Sequence, residues 1–363
     1  MTDPSSSDVV ETAHRDTNTS ETDNIVQMRD VTVRFPMKRG ESRVLDSVNM
    51  DIHRQELLGV VGESGSGKSM FASALLDAVV NPGTLSGEIT YYPSDGDTVN
   101  LLDLDEDELR RIRWNEISMV FQGAMSSFNP TMKIRGHFEE TIRAHNANYN
   151  DRMAHTRQLL ADLYMDPDRV LNSYPHELSG GMRQRTLIAL SLVLEPEVLV
   201  MDEPTAALDL LMQRSILSLL AKLQENYDLT VIFITHDLPL VAGLADRLAV
   251  MYAFDFLEYG PSADVVENAA HPYTRALLRS VPSVDSVLDE MKPIEGEAPD
   301  PVNTPVGCSY HPRCPLATEE CRQANPSFEI VGDDHEAACY HVEESREQIT
   351  YHLHSDAEEV MGE

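Results

Sequence analysis

Residues 62–69 read Gly-Glu-Ser-Gly-Ser-Gly-Lys-Ser, a G-x-x-x-x-G-K-[ST] string whose chemistry is the holding of phosphate. Gly62, Gly65 and Gly67 let the backbone bend so that successive N–H groups aim at one anion. Glu63, Ser64 and Ser66 occupy the variable positions of that loop. A helix opening at Lys68 would turn its positive end toward the same anion. Lys68 would pair with β- and γ-phosphates, and the Ser69 hydroxyl would ligate Mg²⁺. Asp202 closes the apolar run Val198-Leu199-Val200-Met201, which places it to share that Mg²⁺, directly or through water, and Glu203 follows at once. Two further strings complete the set: Leu178-Ser179-Gly180-Gly181-Met182-Arg183-Gln184, ahead of the Asp-Glu pair, and Ile234-Thr235-His236-Asp237, behind it. Taken singly, an Asp-Glu pair after an apolar strand is a strand end, and a His at a strand terminus is a satisfied polar group. Their order behind the phosphate loop is what gives them meaning.

These residues need a scaffold of strands ending at one edge. Leu57-Leu58-Gly59-Val60-Val61 reads as a short buried strand running directly into the loop, with helix from Lys68 to about Val79. Strand character recurs at residues 117–121, 198–201, 230–235 and 248–252, alternating with helical stretches. Such alternation predicts an α/β fold with a mainly parallel sheet. The alternation Val31, Val33, Phe35 predicts a first strand from Ile25. Residues 103–113 read as an acidic helix. Residues 123 to about 195 look mostly helical, with helices over 132–145 and 151–165 and another opening at Ser179. They form a helical insertion in the sheet domain. Residues 1–24 are rich in Ser, Thr, Asp and Glu and read as a solvated tail. After residue 271 comes a proline-rich stretch (Pro282, Pro293, Pro299, Pro301, Pro305), then a compact cysteine-bearing segment, then an acidic tail over 346–363. There is no internal repeat, so the chain holds one nucleotide-binding unit.

Composition narrows the setting. The chain carries 61 acidic against 28 basic residues, a formal charge of −33, yet 42% of its 363 residues are hydrophobic. That is enough to build a core, so the acidity is not that of a disordered chain. Lysine occurs only at 38, 68, 133, 222 and 292. The pattern suits a protein of a salt-rich cytosol, where at about 1 M salt the Debye length is roughly 3 Å and self-repulsion is screened; an ordinary low-pI protein is the plainer alternative. Duplex nucleic acid is excluded as an expected partner, because binding it needs a basic face. No run of eighteen apolar residues and no secretory signal is present, so the expected location is cytosolic.

The four strings, in this order and spacing, resemble the ATPase subunit of an ABC transporter over residues 25–270. The resemblance implies a P-loop ABC ATPase nucleotide-binding domain with a helical subdomain insertion and, here, a small cysteine-containing C-terminal extension over 271–345. It implies that Glu203 polarises the attacking water, that Gln122 touches Mg²⁺ and the water and reports to a membrane partner, and that His236 contacts the γ-phosphate. It also implies that Ala207-Leu208-Asp209 crosses to a second subunit, and that an aromatic before the first strand pair stacks on adenine. Phe35 is the candidate for that stacking; its alternative is a core phenylalanine. Ser179-Gly180-Gly181 forms an anion site with no anion of its own. The family resolves this by head-to-tail pairing with a second copy or a paralogue, so the motif meets the γ-phosphate held by the partner.

Three stretches narrow the resemblance to the oligopeptide/dipeptide importer group: residues 121–130 (Phe121-Gln122-Gly123-Ala124-Met125-Ser126-Ser127-Phe128-Asn129-Pro130), residues 271–278 (His271-Pro272-Tyr273-Thr274-Arg275-Ala276-Leu277-Leu278) and residues 307–315 (Gly307-Cys308-Ser309-Tyr310-His311-Pro312-Arg313-Cys314-Pro315). The implied role is an ATP-hydrolysing subunit at the cytoplasmic face of the cell membrane. It would work with two permease subunits and, indirectly, an external solute-binding protein. Cargo within the group also includes oligosaccharides and nickel. A soluble ABC ATPase of translation or DNA repair and a non-catalytic iron–sulfur sensing module are the competing readings. Met125, Phe128 and Asn129 are expected to face the permease. Tyr252-Ala253-Phe254 departs from the group, which more often has Gly after Tyr-Ala, at a position expected to lie away from the chemistry. All four cysteines, Cys308, Cys314, Cys321 and Cys339, fall in the extension, which argues for one joint role. Disulfides are disfavoured in a reducing cytosol and the C-x₂₋₄-C pair of a structural zinc site is missing. A [4Fe–4S] cluster, carried by some members of the group, zinc, and no metal all stay open.

Overall fold

A computed structural model describes residues 23–123, 127–205, 208–280 and 294–351. The tail residues 1–22 and 352–363, Met125, Ala207, Pro282 and Pro293 lie outside the described residues. From Asn24 the alternation of apolar and polar residues produces β1 (Asn24–Met37), paired antiparallel with β2 (Gly40–His53). β3 (Leu57–Val61) then enters the molecule and is buried along its whole length. α1 (Lys68–Ala74) ends earlier than expected, because Asp77 takes a left-handed conformation and the Ala78 N–H returns to the Ser73 carbonyl. β4 (Thr84–Tyr91) and β5 (Val99–Asn100) add to the β1–β2 pair, giving a four-stranded antiparallel sheet in the order β2-β1-β4-β5 that the α/β reading had not foreseen. α2 (Glu106–Ile112) starts on a capping box between Asp105 and Glu108.

β6 (Ile117–Val120) leads into the helical insertion of α3 (Ile134–Ala144), α4 (Tyr149–Asp162), α5 (Pro167–Asn172) and α6 (Gly180–Ser191). The chain returns through β7 (Val198–Asp202), α7 (Leu210–Asn226), β8 (Thr230–Thr235), α8 (Leu238–Ala242), β9 (Arg247–Tyr252) and β10 (Asp255–Pro261). The larger sheet runs β9-β3-β8-β7-β6, all parallel, with β10 antiparallel at one side. Period-two alternation divides its side chains between two cores. Leu57, Val61, Leu199, Met201, Val231 and Phe233 face the core shared with the helical insertion. Leu58, Val60, Val198, Val200, Ile232 and Ile234 face the core beneath the antiparallel sheet and α1.

Beyond β10 come α9 (Ser262–Glu267), α10 (Pro272–Arg279), α11 (Glu319–Gln323), β11 (Glu329–Gly332), β12 (His335–Ala337) and α12 (Val342–Gln348). β12 pairs with β10, so the extension continues the main sheet rather than standing apart from it. A buried Glu258 accepts from the Ala270 and His271 N–H groups and lies 2.8 Å from His335 Nε2. Residues 346–351, expected as loose tail, are docked: Arg275 donates to the Ile349 carbonyl, and Tyr351 Oη accepts from the Ala269 N–H and donates to the Val266 carbonyl. Acidity had masked a short packed helix and its anchors. Among the described residues no helix is long and apolar enough to cross a membrane.

Candidate functional site

Parallel strands deliver their carboxyl ends to one edge, where ligands of open α/β sheets bind. Val61 pairs with Thr235, Asp202 with Ile234, and Val120 with Met201. The residues that follow, Gly62, His236, Glu203 and Gln122, therefore emerge side by side. The phosphate loop turns at this edge because two glycines have no alternative. At Gly62 (φ +154°) a Cβ would lie 2.1 Å from the Met251 carbonyl oxygen. At Gly67 (φ +110°) it would lie 2.8 Å from the Val44 carbonyl oxygen. Lys68 Nζ donates to the carbonyls of Gly62 (2.7 Å) and Glu63 (2.8 Å). Burial lowers its pKa to about 8, opposed by the charges of Glu203, Asp202 and Glu63.

Asp202 is buried at the end of β7. Burial pushes its carboxyl above the ordinary range, opposed by a hydrogen bond from Ser69 and by the Lys68 charge. Its Oδ1 is buried with no hydrogen-bond partner, an orphan that fits a cation shared with Ser69. Glu203 sits one residue beyond, with φ +45°, a left-handed conformation that a non-glycine residue holds only under constraint. The constraint is visible: its N–H donates to the Ile234 carbonyl, Gln122 Nε2 donates to its Oε2 (2.8 Å), and His236 Nδ1 lies 3.1 Å from its Oε1. Carboxylate, amide and imidazole thus converge on one point beside the orphan oxygen, an arrangement suited to orienting a water for attack on a bound phosphate.

The remaining motif residues lie elsewhere. Ser179 caps α6, its hydroxyl accepting from the Met182 N–H, and is exposed. Leu208 Cδ2 lies 3.8 Å from the Cβ position of Gly180, and Met212 packs against Gly181, so the Ser-Gly-Gly motif and the 208–209 turn share one face. Asp209 caps α7, accepting from the Met212 N–H, with Leu210 (57% exposed) and Leu211 (80%) uncovered beside it. Phe35 is half-buried on the core beneath the antiparallel sheet, its ring over Gly83, which leaves both the stacking and the core readings physically possible. Phe128 corrects an expectation: it is 5% exposed, packed edge-on to His137 (4.9 Å) in the helical core, whereas Phe121 and Asn129 are exposed. An apolar residue in a loop read as partner-facing was in fact the plug of the insertion.

Sequence reasoning missed what stands behind the phosphate loop. Phe254, set aside as remote from the chemistry, donates its N–H to the Ser66 carbonyl (2.9 Å) in a left-handed conformation (φ +77°). Glycine would hold that conformation without strain. Tyr273 Oη accepts from the Glu63 N–H (2.9 Å), and Arg313 binds the Glu63 carboxylate. The only available signal was the presence of Tyr273 and Arg313 inside the two C-terminal stretches already singled out.

All four cysteines line one small pocket of about 10 Å³, together with His271, Tyr310, His311 and Tyr340. None forms a disulfide. Burial raises the thiols of Cys308, Cys314 (to about 11) and Cys339 (to about 12), with further upward pressure from neighbouring cysteines. Among the described residues no three His, Cys, Asp or Glu side chains are grouped to hold a single metal ion.

Residues 45–206 match the ABC transporter family, and residues 257–321 match the family described as oligopeptide/dipeptide transporter, C-terminal region. The chain is 40% identical to the dipeptide transport ATP-binding protein DppD of Caldanaerobacter subterraneus subsp. tengcongensis, covering 89% of this chain and 98% of that one. It is 38% identical to the oligopeptide transport ATP-binding protein OppD of Escherichia coli, covering 89% and 95%. Among solved structures it is similar to an ATP-binding cassette in a dimeric post-hydrolysis state bound to ADP and Pi, with TM-score 0.55, 28% identity, and coverage of 65% of this chain and 98% of that one.

Proposed function

The chain belongs to the ATP-binding subunits of oligopeptide/dipeptide ABC transporters, and from that premise we propose how its residues hydrolyse ATP to power peptide import through partner permeases. The convergence of Gln122, His236 and Glu203 on one point beside the orphan Asp202 Oδ1 carries the proposal. The 62–69 loop holds the β- and γ-phosphates through its N–H groups, and Lys68 exchanges its loop carbonyls for phosphate oxygens. Ser69 and Asp202, with Gln122 alongside, would hold Mg²⁺, which would supply charge neutralisation on the transferred phosphoryl group. Glu203 accepts a hydrogen bond from the attacking water and draws off its proton as the water oxygen bonds to the γ-phosphorus and the bond from phosphorus to the β–γ bridging oxygen breaks, releasing ADP and phosphate. His236 steadies the γ-phosphate, and Phe35 stacks on the adenine.

Ser179, Gly180 and Asp209 serve a second ATPase subunit. Their shared exposed face, with Leu210 and Leu211 uncovered, supports a head-to-tail dimer, and the similar cassette is itself described as dimeric. The dimer attaches to the cytoplasmic side of two permeases, which receive solute from an external binding protein. The match over 257–321 favours an importer over a soluble ATPase of translation or repair. Purified with its permeases in lipid vesicles, the chain should accumulate peptide only with ATP inside the compartment it faces; ATP hydrolysis that is indifferent to permeases and peptide would refute the role.

For the extension, we propose that Cys308, Cys314, Cys321 and Cys339 hold a [4Fe–4S] cluster. The gathering of all four thiols at one pocket supports this reading. Such a group supplies a cross-link to a segment poor in core residues. Anaerobically purified protein should be brown and contain iron and sulfide; stoichiometric zinc, or no metal, would refute it. The acidic composition further suits a cytosol of high salt.

A further inference from the structure

Arg313 is a tightly held charge outside the nucleotide-handling motifs. Its side chain is 5% exposed, and every guanidinium nitrogen donates a hydrogen bond. Nη1 donates to Glu63 Oε2 (2.7 Å) and to the Tyr252 hydroxyl (3.3 Å). Nη2 donates to Glu63 Oε1 (3.1 Å) and to the Ile294 carbonyl, and Nε donates to the Glu295 carbonyl (2.8 Å). The pairing with Glu63 is a two-pronged fork, the strongest geometry an arginine offers a carboxylate. Burial works against the charge, but the bonds to Glu63 and Tyr252 more than offset it and hold Arg313 above its ordinary pKa.

Glu63 is the second residue of the phosphate loop. Its carboxylate acts electrostatically on Lys68, and Lys68 Nζ already touches its carbonyl. A carboxylate so placed has two harmful options when left alone: to repel the incoming phosphates and to capture Lys68. The extension forecloses both from the far end of the chain. Tyr273, tilted against Tyr252 and edge-on to Tyr310, fixes the Glu63 N–H, while Arg313 fixes and neutralises the side chain. A second strap runs beside it, where Arg39 of the first hairpin grips Asp300 with two bonds and the Arg43 N–H donates to the Pro301 carbonyl.

We propose that Arg313 is a positioning residue of the ATP site, supplied by the cysteine-bearing extension, which holds Glu63 away from Lys68 and cancels its charge so that the loop receives phosphate. This rests on reading residues 62–69 as the ATP loop. The test is steady-state ATPase kinetics of the transporter assembled with its permeases. Arg313→Gln should raise KM for ATP about tenfold, the scale of a charge-assisted hydrogen-bond pair, with kcat at saturation within twofold or so. Adding Glu63→Gln to that variant should return KM most of the way, since the bare carboxylate is then gone. Arg313→Lys should fall between, and it carries the test if the glutamine variant does not assemble. An unchanged KM in the Arg313 variants, or a defect that Glu63→Gln does not relieve, overturns the proposal and leaves Arg313 a packing residue. Lys68→Ala separates the two levels: if it abolishes ATP binding while the Arg313 variants are normal, only this inference falls, whereas normal ATP binding in Lys68→Ala removes the reading of the site itself.

Discussion

The Gln122 side-chain amide donates to Glu203 Oε2 at 2.8 Å, although the two residues stand at the ends of different strands. Adjacent parallel strands β6 and β7 end in register, so the contact follows from topology. The bond orients the carboxylate whose other oxygen faces His236. Gln122→Ala should therefore lower kcat about tenfold and leave KM for ATP nearly unchanged, because it loosens a group needed in the transition state. A rise in KM with unaltered kcat, measured on the assembled transporter, would contradict this placement.

Lys68 sets a pH limit. Burial holds its pKa near 8, and phosphate binding requires the charged form. Below about pH 8 the ammonium is already present. Above it, binding must first recruit a proton, so KM for ATP should rise with pH, approaching tenfold per unit. A KM that stays flat to about pH 9.5 would show that Lys68 is charged throughout and that its burial is relieved by another route.

Phe128 should behave as a core residue. Phe128→Ala should cost about 3 kcal/mol, the lower end for buried aromatic truncation, seen as a lower denaturant midpoint with a similar slope. A variant as stable as the parent but defective in peptide uptake would return Phe128 to the partner face.

The acidic surface predicts salt dependence. With a formal charge of −33, the subunit should lose helical circular dichroism in dilute buffer and regain it near 1 M salt, as screening at about 3 Å quenches self-repulsion. A melting temperature indifferent to salt would end that argument.

Local chemistry explains what was legible beforehand. Gly62, Asp202, Glu203, Gln122 and His236 each stand within a residue or two of a buried apolar strand, and Lys68 opens the helix that follows the loop, so the motif and its scaffold are read in one window. The exposed Ser179 cap is equally local. Phe128 was misread because an apolar residue in a loop looks the same whether it plugs its own helices or meets a partner. The Arg313–Glu63 pair could not be read at all, for its members lie 250 residues apart and neither obeys a periodicity. The antiparallel sheet of β1, β2, β4 and β5 escaped for a related reason, since β4 follows a helix and pairs back across it.

The most direct test of the account is the ATPase rate of the Glu203→Gln subunit assembled with its partners. The substitution keeps the shape and the contact with Gln122 but removes the group that takes the proton from water. The account predicts that ATP still binds, the paired subunits stay closed, and kcat falls by about a hundredfold or more. Hydrolysis at the parental rate, with ATP bound normally, would contradict it.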